Sequence, residues 1–394
     1  MSLLIRHARL VPGASLGPPF RGSLRVRGEH IAELAANLSP EPGERVLEAG
    51  GRVLLPGLVD AHTHAIFAGD RLDELELRQR GKTYLEILAA GGGILSTVRA
   101  VRAASEEQLT ESLGERLRVM LEQGTTSVEV KSGYGLSTEA ELKMLRAIRR
   151  AARSFPGTVV PTAMLGHALD PEQPQFVDRV IHETLPAVHA EFPGIAIDAF
   201  CERGAFSVAD CRRLFERAQE LGHPVRLHTD QFTALGGLEL ALELGARSVD
   251  HLEATSRAGL EQLARSQTFG VLLPVSGFHT DDRYADARTL LDAGGKLVLA
   301  SNYNPGTSPC SSLPFVIGLA LRKLGLRVSE AIQACTETAA ALLGLDDRGT
   351  LAVGARADLI LLRHQDERLL AYELGGNPVD RVIVAGREIA PRAR

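Results

Sequence analysis

The feature that most constrains the fold of this chain is a repeated alternation of amphipathic helix, glycine and short apolar strand through its middle part. Leu109, Leu113 and Leu117 show the helical spacing, because residues four apart lie on one face of a helix. Gly124 and Gly222 stand where a helix should end, since glycine readily adopts the left-handed conformation that reverses the chain. Strands that alternate with helices predict βα units around a parallel sheet.

Eight such strands can be counted. They are predicted at Leu54–Asp60, Thr126–Val130, Val159–Leu165, Ile195–Phe200, Val225–Leu227, Arg247–Asp250, Gly270–Leu273 and Leu297–Ala300. Eight βα units are typical of a closed barrel. The predicted fold class is therefore α/β, with a TIM-like (β/α)8 barrel as its main part.

Polar side chains gather directly after the apolar part of these strands. They are His62, His64, Lys131, Tyr134, His167, Glu202, His228, His251 and Asn302. A barrel carries its active site at the carboxyl ends of its strands, so these residues are candidates for one shared site. Polar residues mark strand ends in any α/β protein, but histidine at four of the eight ends is harder to explain in that way.

The two ends of the chain differ from this middle part. Further short strands are predicted at residues 3–5, 23–26, 45–47, 357–362 and 379–384. Strands that flank a barrel on both sides in the sequence can pair with one another. We therefore predict a small discontinuous β-sandwich domain, formed by residues 1–56 and 347–394, beside a barrel of residues 57–346.

Composition excludes several kinds of partner. The chain has 394 residues, of which 24% are charged, and a formal net charge of −5, which gives no footprint for nucleic acid or an anionic membrane. Its four cysteines include no CxxC pair, which argues against a zinc ribbon or a disulfide framework. No apolar run reaches the ~18 residues of a membrane span, and the N-terminus does not resemble a signal peptide. We predict a soluble cytoplasmic protein.

The strongest chemical signal is the run DAHTH at residues 60–64, at the end of the first predicted barrel strand. Residues two apart on a strand point to the same face, so the imidazoles of His62 and His64 can converge on one metal ion. Histidine suits zinc or iron. An isolated HxH pair is common by chance, but the preceding run LLPGLV at residues 54–59 strengthens the metal interpretation.

These motifs resemble the amidohydrolase superfamily, whose members carry a PGxxDxHxH run at this place. Other runs are similar to the imidazolonepropionase family in particular. They are FAGDR at 67–71, RGKTYLEI at 80–87, AGGGILSTVR at 90–99, EVKSGYGL at 129–136, FCE at 200–202, DHLE at 250–253 and NPGTSP at 304–309. The resemblance covers essentially the whole chain in the family's order, so it is far more specific than the HxH pair.

The resemblance implies a hydrolase of histidine degradation that depends on one metal ion, Zn or Fe. His62, His64 and His228 would hold the metal, with position 302 as a further ligand. The implied substrate is 4-imidazolone-5-propanoate, whose lactam ring is opened by water to N-formimidoyl-L-glutamate. The residues implied to contact substrate or product are Arg71, Tyr84, Tyr134, His167, Gln231, Asn304, Gly306 and Thr307. The resemblance also suggests a homodimer.

Several of these residues also have a plain structural interpretation. Arg71 could serve surface ion pairing, Tyr84 and Tyr134 could serve core packing, and Gly306 could serve the turn itself. His251 could steady an oxyanion or carry a proton, since imidazole does both near neutral pH, or it could simply be a hydrogen-bonded residue at a strand end. Lys131 could suggest a carbamylated lysine between two metals. We favour a carboxylate-binding or structural role, because the family that the chain resembles uses a single metal.

One position departs from the family pattern. After the last strand the family has an Asp where this chain has Asn302, in the run ASNYNPG at residues 300–306. An amide oxygen can bind a metal, but an amide cannot act as a base near neutral pH. Three explanations are open: another group, with His251 the nearest candidate, is the base; the protein binds its ligand with little turnover; or the residue is an engineered or erroneous change.

A third function hypothesis is another amidohydrolase that acts on a heterocycle, such as a deaminase. Gln231 lies in the run HTDQ at residues 228–231, where the family that the chain resembles has either Glu or Gln. Glutamine can hydrogen-bond a lactam ring but cannot shuttle protons. Gln231 therefore argues against deamination and is compatible with ring opening.

Overall fold

The structure, a computed structural model, describes residues 2–82, 86–87 and 92–390. Its strands are β1 (Ser2–Leu10), β2 (Phe20–Arg27), β3 (His30–Ala35), β4 (Arg45–Glu48), β5 (Val53–Pro56), β6 (Leu58–Asp60), β7 (Thr125–Lys131), β8 (Thr158–Gly166), β9 (Ala196–Cys201), β10 (Val225–Thr229), β11 (Ser248–His251), β12 (Phe269–Leu272), β13 (Leu297–Leu299), β14 (Leu359–Leu362), β15 (Val379–Val384) and β16 (Arg387–Ile389). Strands β6–β13 form one sheet, and the strands from both chain ends form another.

Helices connect and cover these strands. They are α1 (Leu72–Gln79), α2 (Ile94–Ala103), α3 (Glu106–Glu122), α4 (Thr138–Ser154), α5 (Phe176–Arg179), α6 (Leu185–Glu191), α7 (Val208–Glu220), α8 (Gly237–Glu243), α9 (Arg257–Ala264), α10 (Pro274–Thr280), α11 (Ala287–Asp292), α12 (Leu313–Lys323), α13 (Val328–Ala334), α14 (Glu337–Leu343) and α15 (Leu369–Tyr372). A 3-10 turn spans Ala14–Leu16, and a π-helical turn at Val180–Thr184 joins α5 to α6. Helix α3 buries the leucine face predicted from its spacing and packs against β7.

The middle sheet is a parallel barrel. Strands β6 to β13 lie side by side in chain order, and each is parallel to the next. The segments after the first and last of these strands approach each other, because Thr63 and Tyr303 form a parallel bridge. The Asn302 N–H donates to the carbonyl of His62 at 3.0 Å, and the His64 N–H donates to the carbonyl of Tyr303 at 3.0 Å. This closure places the DAHTH run directly beside Asn302.

The sheet from the chain ends has its own small apolar core. Strand β1 runs antiparallel to β2 and parallel to β4 and β5, while β14 pairs antiparallel with β5. Leu3, Ile5 and Leu24 pack with Leu359 and Ile383 in this core. The N-terminal and C-terminal strands are thus joined by backbone hydrogen bonds and by packing, although more than 300 residues separate them in sequence.

The predicted fold class is confirmed: an eight-stranded parallel barrel stands beside a separate sheet from both ends. One strand prediction was wrong, because Leu54–Asp60 is not a single barrel strand. It divides into β5, which belongs to the terminal sheet, and β6, which begins the barrel. Gly57 lies between them, and a Cβ there would come within 2.2 Å of the Thr126 hydroxyl, so only glycine fits at this crossing.

The other seven predicted barrel strands each overlap an observed strand of the barrel. The domain boundaries expected near residues 56 and 347 stay a prediction. Among the described residues, every helix is too short or too polar to cross a lipid bilayer.

Candidate metal centre and active site

Three histidines converge at the carboxyl end of the barrel. His62 and His64 follow β6, and His228 lies in β10. One ring nitrogen of each lies within 4.8 Å of one ring nitrogen of the other two, and the Nε2 atoms of His64 and His228 are 3.3 Å apart. The structure therefore brings together the three histidines that the sequence predicted as metal ligands.

Two carboxylates orient these rings. Nδ1 of His62 lies 2.6 Å from Asp250 Oδ2, and Nδ1 of His228 lies 3.0 Å from Asp198 Oδ1. An ionised carboxylate only accepts hydrogen bonds, so Nδ1 of each ring donates and Nε2 keeps a lone pair. Among the described residues, Nε2 of His62 and Nδ1 of His64 are buried without a hydrogen-bond partner. Three buried histidines that each bring one ring nitrogen to a common space fit a zinc or iron ion as their shared partner.

The environment keeps the three imidazoles neutral. Burial, with a smaller contribution from the charge of Lys131, holds the pKa of His62 well below its ordinary value. Burial and the neighbouring His167 do the same for the pKa of His64. Burial also lowers the pKa of His228. Neutral imidazole is the form that binds a metal, so this site has its ligands ready at neutral pH.

An ion cluster lies buried beneath the histidines and consists of Glu129, Lys131, Asp198, Arg226 and Asp250. Nζ of Lys131 lies 2.7 Å from Glu129 and 2.8 Å from Asp198. Arg226 lies 2.9 Å from Asp250 and 3.2 Å from Glu129. These side chains are at most 3% exposed. The cluster holds in place the two carboxylates that orient the metal-binding histidines.

Lys131 also bears on the number of metal ions. Asp198, His228 and Asp250 form a second group that could hold a cation. The ammonium of Lys131 already lies beside this group, 2.8 Å from Asp198 and 3.9 Å from Asp250. As an ammonium, Lys131 thus binds two buried carboxylates, which fits the carboxylate-binding or structural role expected for it. The single metal stays a prediction.

One cavity at this end of the barrel collects most of the predicted site residues. Its lining residues are His64, Arg71, Ile94, Tyr134, His167, Phe200, His228, Gln231, His251, Asn302, Asn304, Gly306 and Thr307. His62 lies just beneath, fully buried. Tyr84 lies outside the described residues. Ile94 and Phe200 were not singled out from the sequence, since apolar residues at such places look like ordinary core.

His167 forms one wall of the cavity. Its ring stacks on that of His64, with ring centroids 4.8 Å apart, and its Nδ1 lies 3.0 Å from the carbonyl oxygen of Gly133. Tyr134 lies beside both rings, with its ring centroid 5.1 Å from that of His167 and 6.1 Å from that of His64. Burial lowers the pKa of His167 to about 3, so the ring is neutral and Nδ1 donates to the carbonyl. A neutral, fixed imidazole can contact a ligand ring without adding charge.

Three strand-end residues of the site have left-handed backbones. The φ angles are +56° at Asp230, +90° at His251 and +54° at Asn302, and Leu252 follows at +73°. Asn and Asp tolerate this conformation, but His and Leu adopt it at a cost of ~1–3 kcal/mol each. Such strain persists where the surrounding structure enforces it, and here it turns His251 toward the cavity beside His228, with ring centroids 5.6 Å apart.

The loop after β13 is held by Asn304. Its Oδ1 accepts the N–H groups of Gly306 and Thr307 at 2.8 and 2.7 Å, and its Nδ2 donates to the carbonyl of Asn302 at 2.7 Å. The Asn304 amide is thus occupied by its own loop. Its predicted contact with substrate or product stays a prediction, while its role in shaping the cavity rim is visible.

Gly306 and Arg71 were predicted as separate contacts, yet they touch each other. A Cβ on Gly306 would lie 2.8 Å from both Cζ and Nη1 of Arg71 and 2.9 Å from Nη2. Gly306 has no left-handed φ that would require glycine for the turn. The missing side chain therefore makes room for the guanidinium, which is a reason that the sequence alone did not supply.

We expect Gly306→Ala to raise KM for a carboxylate-bearing substrate about tenfold or more, because the new methyl group displaces the Arg71 guanidinium from its carboxylate-binding position. The guanidinium is the mobile end of a long side chain, so thermal stability should change little. Steady-state kinetics and a melting curve measure both effects. Gly114→Ala, where a Cβ would meet no neighbour within 4 Å, is the control. An unchanged KM would contradict this account of Gly306.

The carboxylates and the arginine of the buried ion cluster were not among the site residues predicted from the sequence. The available signal was a charged residue inside an otherwise apolar strand: Asp198 within β9, Arg226 within β10 and Asp250 within β11. An isolated charge in a buried parallel strand must be paired, so several such charges predict a network inside the barrel.

Comparisons with known proteins give the class of this fold and site. The sequence model of the amidohydrolase family matches residues 68–390. Among solved structures, N-isopropylammelide isopropylaminohydrolase from Burkholderia multivorans superposes with a TM-score of 0.74 over 98% of both chains at 20% sequence identity, a likeness in fold. The chain belongs to the amidohydrolase family.

Proteins similar in sequence show which family within the amidohydrolases the chain belongs to. A protein of Herpetosiphon aurantiacus named imidazolonepropionase is 48% identical, over 98% of this chain and 96% of its own length. One of the same name from Rubrobacter xylanophilus is 47% identical, over 94% of this chain and 91% of its own. Within the amidohydrolases, the chain is a member of the imidazolonepropionase family, as the sequence motifs indicated.

Proposed function

We propose that this protein is a metal-dependent hydrolase that adds water to 4-imidazolone-5-propanoate and opens its ring to N-formimidoyl-L-glutamate, a step of histidine degradation. The observation that carries the proposal is one cavity that joins neutral metal-binding histidines to a buried guanidinium. A metal site beside a carboxylate-binding site suits a lactam ring with a propionate tail. The relatives at 48% and 47% identity carry the name of this activity.

His62, His64 and His228 would hold the metal ion, and the amide oxygen of Asn302 is a further candidate ligand. A bound zinc or iron ion supplies activation of water and polarisation of a carbonyl. The buried nitrogens without partners and the carboxylates behind the rings support this ligand set. Zinc and iron bind the same neutral nitrogen donors, so a metal analysis of the purified protein is the measurement that distinguishes them.

The remaining residues would bind and orient the substrate. Arg71 would pair with the propionate through its terminal nitrogens. The Gln231 amide, 3.3 Å from the hydroxyl of Ser276, would hydrogen-bond the ring, and Tyr134 and His167 would border it. Such contacts would turn the ring carbonyl toward the histidines, since Arg71 would hold the tail at another part of the same cavity.

His251 is the candidate proton carrier. Its Nδ1 lies 3.3 Å from Glu253 Oε1, so Nδ1 donates to this carboxylate and Nε2 is left to exchange a proton. Nε2 would take a proton from the attacking water and return it to the ring nitrogen when the C–N bond breaks. His251 would thus supply the base that Asn302, which lacks a carboxylate, cannot supply.

The amide at position 302 favours a second candidate function, a silent binder of imidazolone-like acids. Asn302 is 2% exposed and lines the cavity beside the histidines, where an amide cannot take up a proton. A protein with the complete substrate-binding set and no base would bind its ligand without turnover. Measurement of turnover separates the two functions.

The test is an assay of purified, metal-loaded protein with fresh 4-imidazolone-5-propanoate. The substrate decays on its own, so a reaction without protein is the baseline. Loss of the ring's ultraviolet absorbance and formation of N-formimidoyl-L-glutamate above this baseline are expected. Saturable binding without product would assign the silent binder. A protein that shows no binding and forms no product would overturn the proposal.

Asn302→Asp is expected to raise kcat at neutral pH on the order of 10²-fold, because a carboxylate can accept the proton that the amide cannot. The exchange preserves shape, and Asp also tolerates the left-handed backbone at this position. Comparison of kcat and of its pH profile between the two proteins measures the effect. Equal or lower activity would show that the site is adapted to the amide and that His251 suffices.

Two further features are proposals that the family suggests. We place the protein in the cytoplasm, where histidine degradation takes place, and we expect it to form a homodimer. Light scattering of the purified protein at micromolar concentration gives its mass, and a mass of one chain, 42.3 kDa, would contradict the dimer.

A further inference from the structure

Glu74 is a buried carboxylate that no sequence motif singled out. It lies in α1, and its Oε1 is 2.5 Å from Nε of Arg71. The two side chains are only 8% and 5% exposed. The N–H bond of that nitrogen is not directed along this line, so the contact is an ion pair rather than a hydrogen bond. A guanidinium paired in this way at low exposure is held against movement toward solvent.

The same carboxylate joins three parts of the cavity rim. Its Oε1 accepts the N–H of Gly93 at 2.8 Å, directly before α2, whose first residue lines the cavity. Arg78, also in α1, lies 3.9 Å from its Oε2 and donates to the carbonyl of Gly306 at 3.0 Å. Glu74 therefore connects α1, the start of α2 and, through Arg78, the loop after β13.

The pairing leaves the outer end of Arg71 for a ligand. Among the described residues, Nη2 is buried without a hydrogen-bond partner, and Nη1 makes only a 3.5 Å contact with the Thr97 hydroxyl. Glu74 occupies the Nε side, Gly306 underlies the planar group, and Arg71 lines the cavity, so we infer that the terminal nitrogens are the part available to a ligand. Such a fork binds a carboxylate through two parallel hydrogen bonds.

Charge matches this arrangement at Arg71 itself. Glu74 pairs with the Nε side of the guanidinium. A carboxylate on a ligand would give the terminal nitrogens a charged hydrogen-bond partner, whereas a neutral amide at the same place would not.

We propose that Glu74 is a positioning residue: it fixes Arg71 with its terminal nitrogens in the cavity and so selects ligands with a single carboxylate tail. The inference rests on the proposed function for the chemistry of the ligand. Glu74 acts through Arg71 and takes no part in bond breaking.

Binding of 3-(imidazol-4-yl)propanoate and of its carboxamide tests this role without turnover. Isothermal titration of the metal-loaded protein gives Kd for both compounds. Glu74→Ala should weaken binding of the carboxylate about tenfold or more and of the carboxamide less than about threefold. Glu74→Gln keeps an oxygen for the Gly93 N–H but loses the charge that pairs with Arg71, so it should recover only part of that loss. Glu76→Ala, on the same helix at a side chain 71% exposed, is the matched control and should bind like the original protein.

A double-mutant cycle with Arg71→Ala separates positioning from general damage. In a protein that already carries Arg71→Ala, Glu74→Ala should raise Kd by less than about twofold more, because the two residues act as one unit. Additive losses, equal weakening of both compounds, or unchanged binding in Glu74→Ala would each overturn the inference. The proposed function has a different readout: product formed by the original protein supports it, and absence of product refutes it, whichever way the binding experiment ends.

Discussion

Replacement of His228 by alanine is expected to remove metal binding and hydrolysis together. Nε2 of His228 lies 3.3 Å from Nε2 of His64, and Asp198 orients the His228 ring through its Nδ1. Loss of one of three nitrogen ligands should lower metal affinity by more than the ~10- to 100-fold typical of a change behind a ligand. Without the ion, water is not activated, so kcat/KM should fall on the order of 10³-fold or more.

Metal content after dialysis, measured by mass spectrometry, reports this loss independently of activity. The fold should survive, because Asp198 keeps its contact with Lys131 at 2.8 Å. His182→Ala, at an exposed histidine that is not among the residues lining the cavity, is the control. A His228→Ala protein that retains stoichiometric metal and full activity would show that the ion is held elsewhere.

Lys131→Met is expected to destabilise the whole protein by about 3–5 kcal/mol, because it removes one partner from a buried ion network. Methionine is of similar length, so the change is mainly one of charge. Glu129 and Asp198 lose a cation at 2.7 and 2.8 Å in a place that water does not reach. Arg226 remains beside Glu129 and Asp250, but the cluster then has three carboxylates for one cation.

The midpoint of urea unfolding, followed by circular dichroism, measures this effect. Lys323→Met is the matched control, because Lys323 makes an ion pair of the same 2.7 Å length with Asp282 at an exposed place. That surface pair should contribute at most about 1 kcal/mol. Equal shifts for the two variants would mean that burial does not set the contribution of Lys131.

Much of the architecture could be predicted because its signals are local. Helix periodicity, helix-ending glycines and short apolar strands each depend on a few neighbouring residues, and eight βα units leave few topologies besides a barrel. The prediction failed at Leu54–Asp60, where one apolar run serves two sheets. Whether such a run continues straight depends on its partners, and β14, more than 300 residues away, pairs with its first half.

The candidate site was predictable to the extent that its residues follow strands. His62, His64 and His228 were found in this way, and the structure gathers them with His251 and Asn302. Glu74, Asp198 and Asp250 were not found, since a carboxylate on a helix or in a strand has no motif of its own. Their partners are distant in sequence, as in the 188 residues between His62 and Asp250.

The sequence by itself determined the kinds of element, their order, the family and the residue types available at the strand ends, because these follow from short-range patterning and from motif content. Only the tertiary structure decided how those residues are paired. It decided that Lys131 lies in a buried ion cluster, that Gly306 makes room for Arg71, and that Glu74 holds the guanidinium. Such roles depend on distances between residues far apart in the chain, because the role of a buried charge is determined by the partner that the fold places beside it.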